Sequence, residues 1–81
     1  LQGQTFVGFE LPKPGDDVQL SIFAADGQLV RRFELGPLPA RAVVQDWDGR
    51  NENGETVAAG IYYYVLDADG KRTRRSLALI K

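Results

Sequence analysis

Asp46 and Asp48 flank Trp47, the sole tryptophan of an 81-residue chain, and of all its residues they come nearest to a catalytic pair. Two residues apart on an extended strand, they would project from one face. Paired carboxylates about 5 to 9.5 Å apart can hydrolyse a glycosidic bond, and an adjacent indole could serve as a sugar platform. That chemistry also needs a cleft that desolvates one carboxyl, for which so short a chain has little room. The reading the residues favour is structural: Trp47 lies in the core, and Asp48 accepts backbone N–H groups in a turn.

The loop that follows, Asp48-Gly49-Arg50-Asn51-Glu52-Asn53-Gly54, is rich in oxygen donors and invites comparison with a calcium loop. An EF-hand wants oxygen ligands at positions 1, 3 and 5 and Gly at 6. With Gly54 at position 6, Gly49 stands at position 1; starting at Asp48 instead puts Arg50 at position 3. Neither register works. A looser cage from Asp48, Asn51 and Asn53 remains as the metal reading, against a polar turn between strands as the favoured one.

Two surface features complete the chemical inventory. Lys71, Arg72, Arg74 and Arg75 form a basic run, which strand parity splits, with Arg72 and Arg74 on one face and Lys71 and Arg75 on the other. Two charges per face is a weak footprint for nucleic acid, and a pI near 5.2 opposes it; such charges solvate a strand and discourage edge pairing. Tyr62, Tyr63 and Tyr64 are the densest aromatic feature. Parity again divides them: one side packs into the core, and Tyr63, facing away, is a candidate contact residue together with Arg72 and Arg74.

Composition narrows the function further. There is no Cys and no His, which removes thiolate nucleophiles, disulfides, thiolate metal sites and the usual general base near neutral pH. No cofactor and no catalytic residue is expected. No apolar run approaches the roughly 18 residues of a membrane span, so membrane insertion is not expected either. Leu1 in place of an initiator Met predicts a processed or excised piece of a longer product.

The elements that must position these residues are strands, because the hydrophobic period is two. Thr5, Val7, Phe9 and Leu11 mark a first strand, stopped by Pro12 and Pro14; Val18, Leu20 and Ile22 mark a second. After Asp26-Gly27, Gln28 to Leu35 forms a third, with Leu29, Phe33 and Leu35 on one face and a bulge expected between Val30 and Phe33. Gly36-Pro37-Leu38-Pro39 reads as a stiff, irregular connection. Arg41 to Trp47, Gly60 to Leu66 and, beyond the Asp69-Gly70 turn, Lys71 to Ile80 supply three more strands, and Val57-Ala58 could add a short seventh. The runs around Phe6, Ile61 and Leu77 carry hydrophobes of both parities, expected of strands that are central or covered by a neighbouring domain. The fold class is all-β: a single domain, residues 1–81, built as an antiparallel β-sandwich of six to seven strands.

Phe9-Glu10-Leu11-Pro12, Val18 to Ile22, Asp26 to Arg31, Trp47-Asp48-Gly49-Arg50, Asn53-Gly54 and Gly60-Ile61-Tyr62 occur in an order that resembles the FlgD-like immunoglobulin or fibronectin-III-type domain. That family is named for the flagellar hook-capping protein and recurs at the C-termini of secreted or surface bacterial proteins. The resemblance covers nearly the whole chain and implies that its motifs are architectural. Trp47 would fill the core, Asp48 and Gly49 would shape the turn after it, Gly54 and Gly60 would take turn conformations, and Tyr62 would open its strand. Burying Trp47 contributes on the order of 4–6 kcal/mol as an upper figure. Arg41 stands where the family often has Gly, so the turn before the fourth strand is expected to differ. The ending, Ser76 to Lys81, resembles the family's free-standing C-terminal copies more than the flagellar cap.

The function expected from these observations is a non-catalytic, secreted or cell-surface module. It would bind a protein partner, or itself, through sheet edges or faces. A C-terminal sorting signal of the type IX kind, read through Ser76 to Lys81, is a second reading. A filament subunit whose Thr5 to Leu11 strand completes a neighbour's sheet is a third, and a carboxylate-pair glycoside hydrolase comes last.

Overall fold

The computed structural model describes residues 5–80; Leu1, read as the start of a processed piece, and Lys81, the last residue of the sorting segment Ser76 to Lys81, lie outside them. Six strands follow in chain order: β1 (Thr5–Leu11), β2 (Gly15–Ala24), β3 (Leu29–Leu38), β4 (Arg41–Trp47), β5 (Gly60–Ala68) and β6 (Lys71–Leu79). They form a two-stranded sheet, β1-β4, and a four-stranded sheet in the order β3-β2-β5-β6, with every pairing antiparallel. The fold is an all-β sandwich of six strands. Val57-Ala58 adds no seventh: only an isolated Arg50–Thr56 bridge forms there, and the Val57 N–H donates to the Gly49 carbonyl at 3.0 Å, closing the loop on itself.

Alternation places the core. Leu20 stands opposite Leu66 and Ile22 opposite Tyr64, so Val18, Leu20 and Ile22 share an inner face with Tyr62, Tyr64 and Leu66. Val7 and Leu11 of β1 and Trp47 of β4 cover that face from the other sheet. A hydrogen bond and an aromatic contact tie the layers together. The Tyr64 hydroxyl donates to the Gly8 carbonyl at 2.8 Å, and the Trp47 and Tyr62 rings meet edge to face at 5.5 Å.

Strand β3 departs from the expectation in two ways. The bulge sits at Val30, which has no partner between Arg31 (opposite Ile22) and Leu29 (opposite Phe23). The extra residue shifts parity, so Val30 turns inward, and Leu29, expected on one face with Phe33 and Leu35, stands opposite Phe23 and is 44% exposed. The strand also runs through Gly36 and Pro37, which were read as an irregular connection. Because β3 is an edge strand, the missing Pro37 N–H costs no ladder bond on its open side. Of the runs with mixed parity only β5 is central; β1 and β6 are edges, and Phe6 (61%), Val44 (66%) and Ile61 (64%) are exposed.

The turns are chemically specified. Asp69 and Gly70, at φ 54° and 87°, make the two-residue primed turn that matches strand twist. Asp69 does a second job that local pattern does not reveal: its carboxylate accepts the N–H groups of Asp16 and Asp17, at 3.1 and 2.8 Å, and so pins the start of β2 to the β5–β6 hairpin. Replacing Tyr64 with Phe removes the hydroxyl between the sheets and leaves the ring. Its expected effect is a loss of about 1 kcal/mol, read as a lower urea midpoint at unchanged slope.

Candidate functional site

Strand β4 delivers Trp47 to the sandwich interior, where it is 0% exposed. The indole still needs a partner for its N–H, and the chain supplies one three residues later: Trp47 Nε1 donates to the Arg50 carbonyl at 3.0 Å. Reaching that carbonyl requires a sharp turn. Asp48 begins it by accepting the Arg50 N–H at 3.1 Å, and Gly49 completes it at φ 74° while itself buried. Tyr62, at the opening of β5, presses against the indole edge and donates its hydroxyl to the Ala58 carbonyl.

Several oxygen atoms of the following loop are engaged within the protein, those of Asn51 foremost. Asn51 Oδ1 accepts the N–H groups of Asn53 and Glu55, at 2.9 and 3.0 Å, while its amide donates to Glu55 Oε1 at 3.1 Å. Arg50 donates to the Gly54 carbonyl at 2.8 Å. Glu52 reaches across to β3, accepting the Arg32 N–H at 2.8 Å and pairing with Arg31 at 3.4 Å. Arg31 also pairs with Asp48 at 3.5 Å. Among the described residues no group of three or more acidic, His or Cys side chains is gathered as a metal would need.

Strand β4 ends at Trp47, so Asp48 is a turn residue and does not share a strand face with Asp46. Asp46 is exposed, and Asp48, more than half exposed, faces Arg31. Neither carboxyl has the apolar surroundings that a glycosidase acid requires. Of the predicted architectural residues, Trp47, Asp48, Gly49 and Tyr62 therefore converge on one corner. Gly54 sits in the outer turn at φ 80°, and Gly60 opens β5 opposite Leu79 at φ 152°, a backbone conformation that side chains resist.

The predicted contact residues lie on the outward face of the larger sheet. Arg74 Cζ stands 4.0 Å above the Tyr63 ring, whose other neighbour, Phe23, stacks at 5.3 Å with planes 18° apart. Arg72 pairs with Asp67 at 3.1 Å, an exposed contact of small energetic worth. Phe23 escaped the sequence reading because its place beside Tyr63 depends on the β2–β5 register. Glu52 escaped it because its partners lie about 20 residues away in sequence; no local pattern marks either one. Arg41 opens β4 as an exposed residue opposite Leu11.

The family model for the FlgD Ig-like domain matches residues 1–72. The chain is 37% identical over 67 residues to the basal-body rod modification protein FlgD of Salmonella typhimurium and to that of Salmonella typhi. The match takes in 83% of this chain and 29% of each relative, so the chain spans under a third of their length. These relatives are flagellar proteins, in contrast to the free-standing copies that the ending suggested. Among solved structures it resembles FlgD from P. aeruginosa (TM-score 0.71, 24% identity, 94% of this chain and 60% of that one). It also resembles FlgD from Xanthomonas campestris (TM-score 0.72, 26% identity, 95% and 56%), a protein described for the hook capping essential for flagellar assembly.

Asn51→Ala removes the acceptor shared by two loop N–H groups and is expected to destabilise the fold by about 1–3 kcal/mol in urea unfolding. Because Asp48 Oδ1 and Asn51 Oδ1 already accept backbone N–H groups, millimolar calcium is expected to leave the thermal midpoint of the unsubstituted chain unchanged.

Proposed function

The chain belongs to the FlgD Ig-like domain family, and from that premise we propose that it is a non-catalytic module that makes protein–protein contacts during flagellar hook assembly, outside the cytoplasm. The observation that carries this reading is the 37% identity to two flagellar FlgD proteins over 83% of the chain. Physical features support it. The residues that could have done chemistry are consumed in a packed corner: Trp47 fills the interior, Asp48 closes a turn, and the Asn51 and Glu52 oxygens hold backbone. What reaches solvent is a surface suited to contact, with exposed apolar side chains on the outer face of the small sheet (Phe6, Val44) and an aromatic, basic face on the larger one. Contiguous exposed apolar surface rimmed by polar residues is a feature of interaction sites.

The test is a graft. The segment of Salmonella FlgD that aligns with this chain is replaced by it, and hook formation is scored by electron microscopy in cells that lack their own FlgD. Restored hooks are the expected result. A chimera that is stable and exported yet forms no hooks overturns the assignment.

A further inference from the structure

Among the described residues the longest unbroken open edge of the sandwich is β6, with 9 residues against 7 each for β1 and β4, which pair as regularly. Its pairing with β5 runs without a register shift from Gly60–Leu79 to Ala68–Lys71, and it contains neither Pro nor a bulge. All side chains from Lys71 to Ser76 are exposed. An edge of this kind presents a row of N–H and C=O groups that face away from the sheet, a template for one more strand. The opposite edge of the larger sheet, β3, is interrupted by the Val30 bulge, by two further register shifts on either side of Val18 and by Pro37, so it offers no such row.

Charge decides what can pair with β6. Lys71 and Arg75 point to one side of the sheet and Arg72 and Arg74 to the other, in a chain of net charge −1. Arg74 lies over the Tyr63 ring and Arg72 beside Asp67 on the outward face. A second copy of β6 laid alongside would set cations against cations, which is destabilising. A polyanion such as nucleic acid gains most when cations converge on one side, and here they alternate. An extended peptide alternates in the same way, one side chain up and the next down. We propose that β6 is a strand-addition site for an acidic extended segment of another protein, whose carboxylates pair with the cations on both faces while its backbone extends the four-stranded sheet. The proposal rests on the assembly reading above and names the surface and the partner chemistry.

The test is a set of NMR titrations of the isotope-labelled 81-residue chain. The probes are a ten-residue Thr-Glu peptide in the repeating order Thr-Thr-Glu-Glu, which sets carboxylates on both faces of a strand, its Thr-Lys counterpart in the same order, and polyphosphate. The Thr-Glu peptide is expected to shift the amides of Lys71–Ala78 and leave those of β1 and β3 in place, with the Thr-Lys peptide and polyphosphate at least about tenfold weaker. The variant Lys71→Glu, Arg72→Glu, Arg74→Glu, Arg75→Glu, at exposed positions outside the core, is expected to reverse the order of the two peptides. No shift along β6, equal response to both peptides, tighter binding of polyphosphate, or an unreversed order in the folded variant would each overturn the proposal. Hook formation by the graft reads the assembly role itself, so a graft that works beside a silent β6 rejects the edge and retains the assembly role.

Discussion

The sandwich depends on the closure of one corner by the Trp47 indole. A strand from the smaller sheet ends there, and its last side chain is wholly withdrawn from water and set against Tyr62 of the larger sheet. An indole cannot be buried without a partner for its N–H. That requirement fixes the position of the Arg50 carbonyl and with it the path of the next several residues. The Asp48 carboxylate, the left-handed Gly49 and the Asn51 hydrogen bonds are consequences of bringing that carbonyl into place. In a domain of this size, stability is the small difference between large terms. A side chain whose burial contributes several kcal/mol, and whose hydrogen bond organises a whole loop, is therefore decisive.

Closure of this corner also separates architecture from function. The larger sheet has four strands and the smaller two, so much of the outer surface is unpartnered within the described residues. The basic β6 edge, the Tyr63–Arg74 face and the exposed Phe6 and Val44 belong to that surface. An assembly module needs this division. A core that holds its shape without a ligand lets contact residues vary while the frame stays fixed.

Much of this was legible from single residues. The alternation of Val18, Leu20 and Ile22, the Asp69-Gly70 turn, and the start and end of β4 all follow from local chemistry. What escaped the sequence depended on pairing across distance. One extra residue at Val30 exchanged the roles of Val30 and Leu29, and a bulge's exact place is set by the neighbouring strand. Pro37 looked like a strand breaker because its edge position is a property of the sheet order. Asp69 and Glu52 read as ordinary turn acids, and only the fold brings them to the N–H groups of Asp16, Asp17 and Arg32. At the Trp47 corner the residue types pointed to packing over catalysis, but the convergence of Tyr62 on the indole required the two sheets to be brought together.

Because the chain holds a single tryptophan, its fluorescence reports on this corner alone. Acrylamide quenching of the native protein, compared with the urea-unfolded chain, is the most direct measurement. The account predicts weak quenching in the native state that rises to the unfolded value in one step, together with loss of the fold. Native fluorescence quenched as readily as that of the unfolded chain would place the indole in solvent and contradict the account.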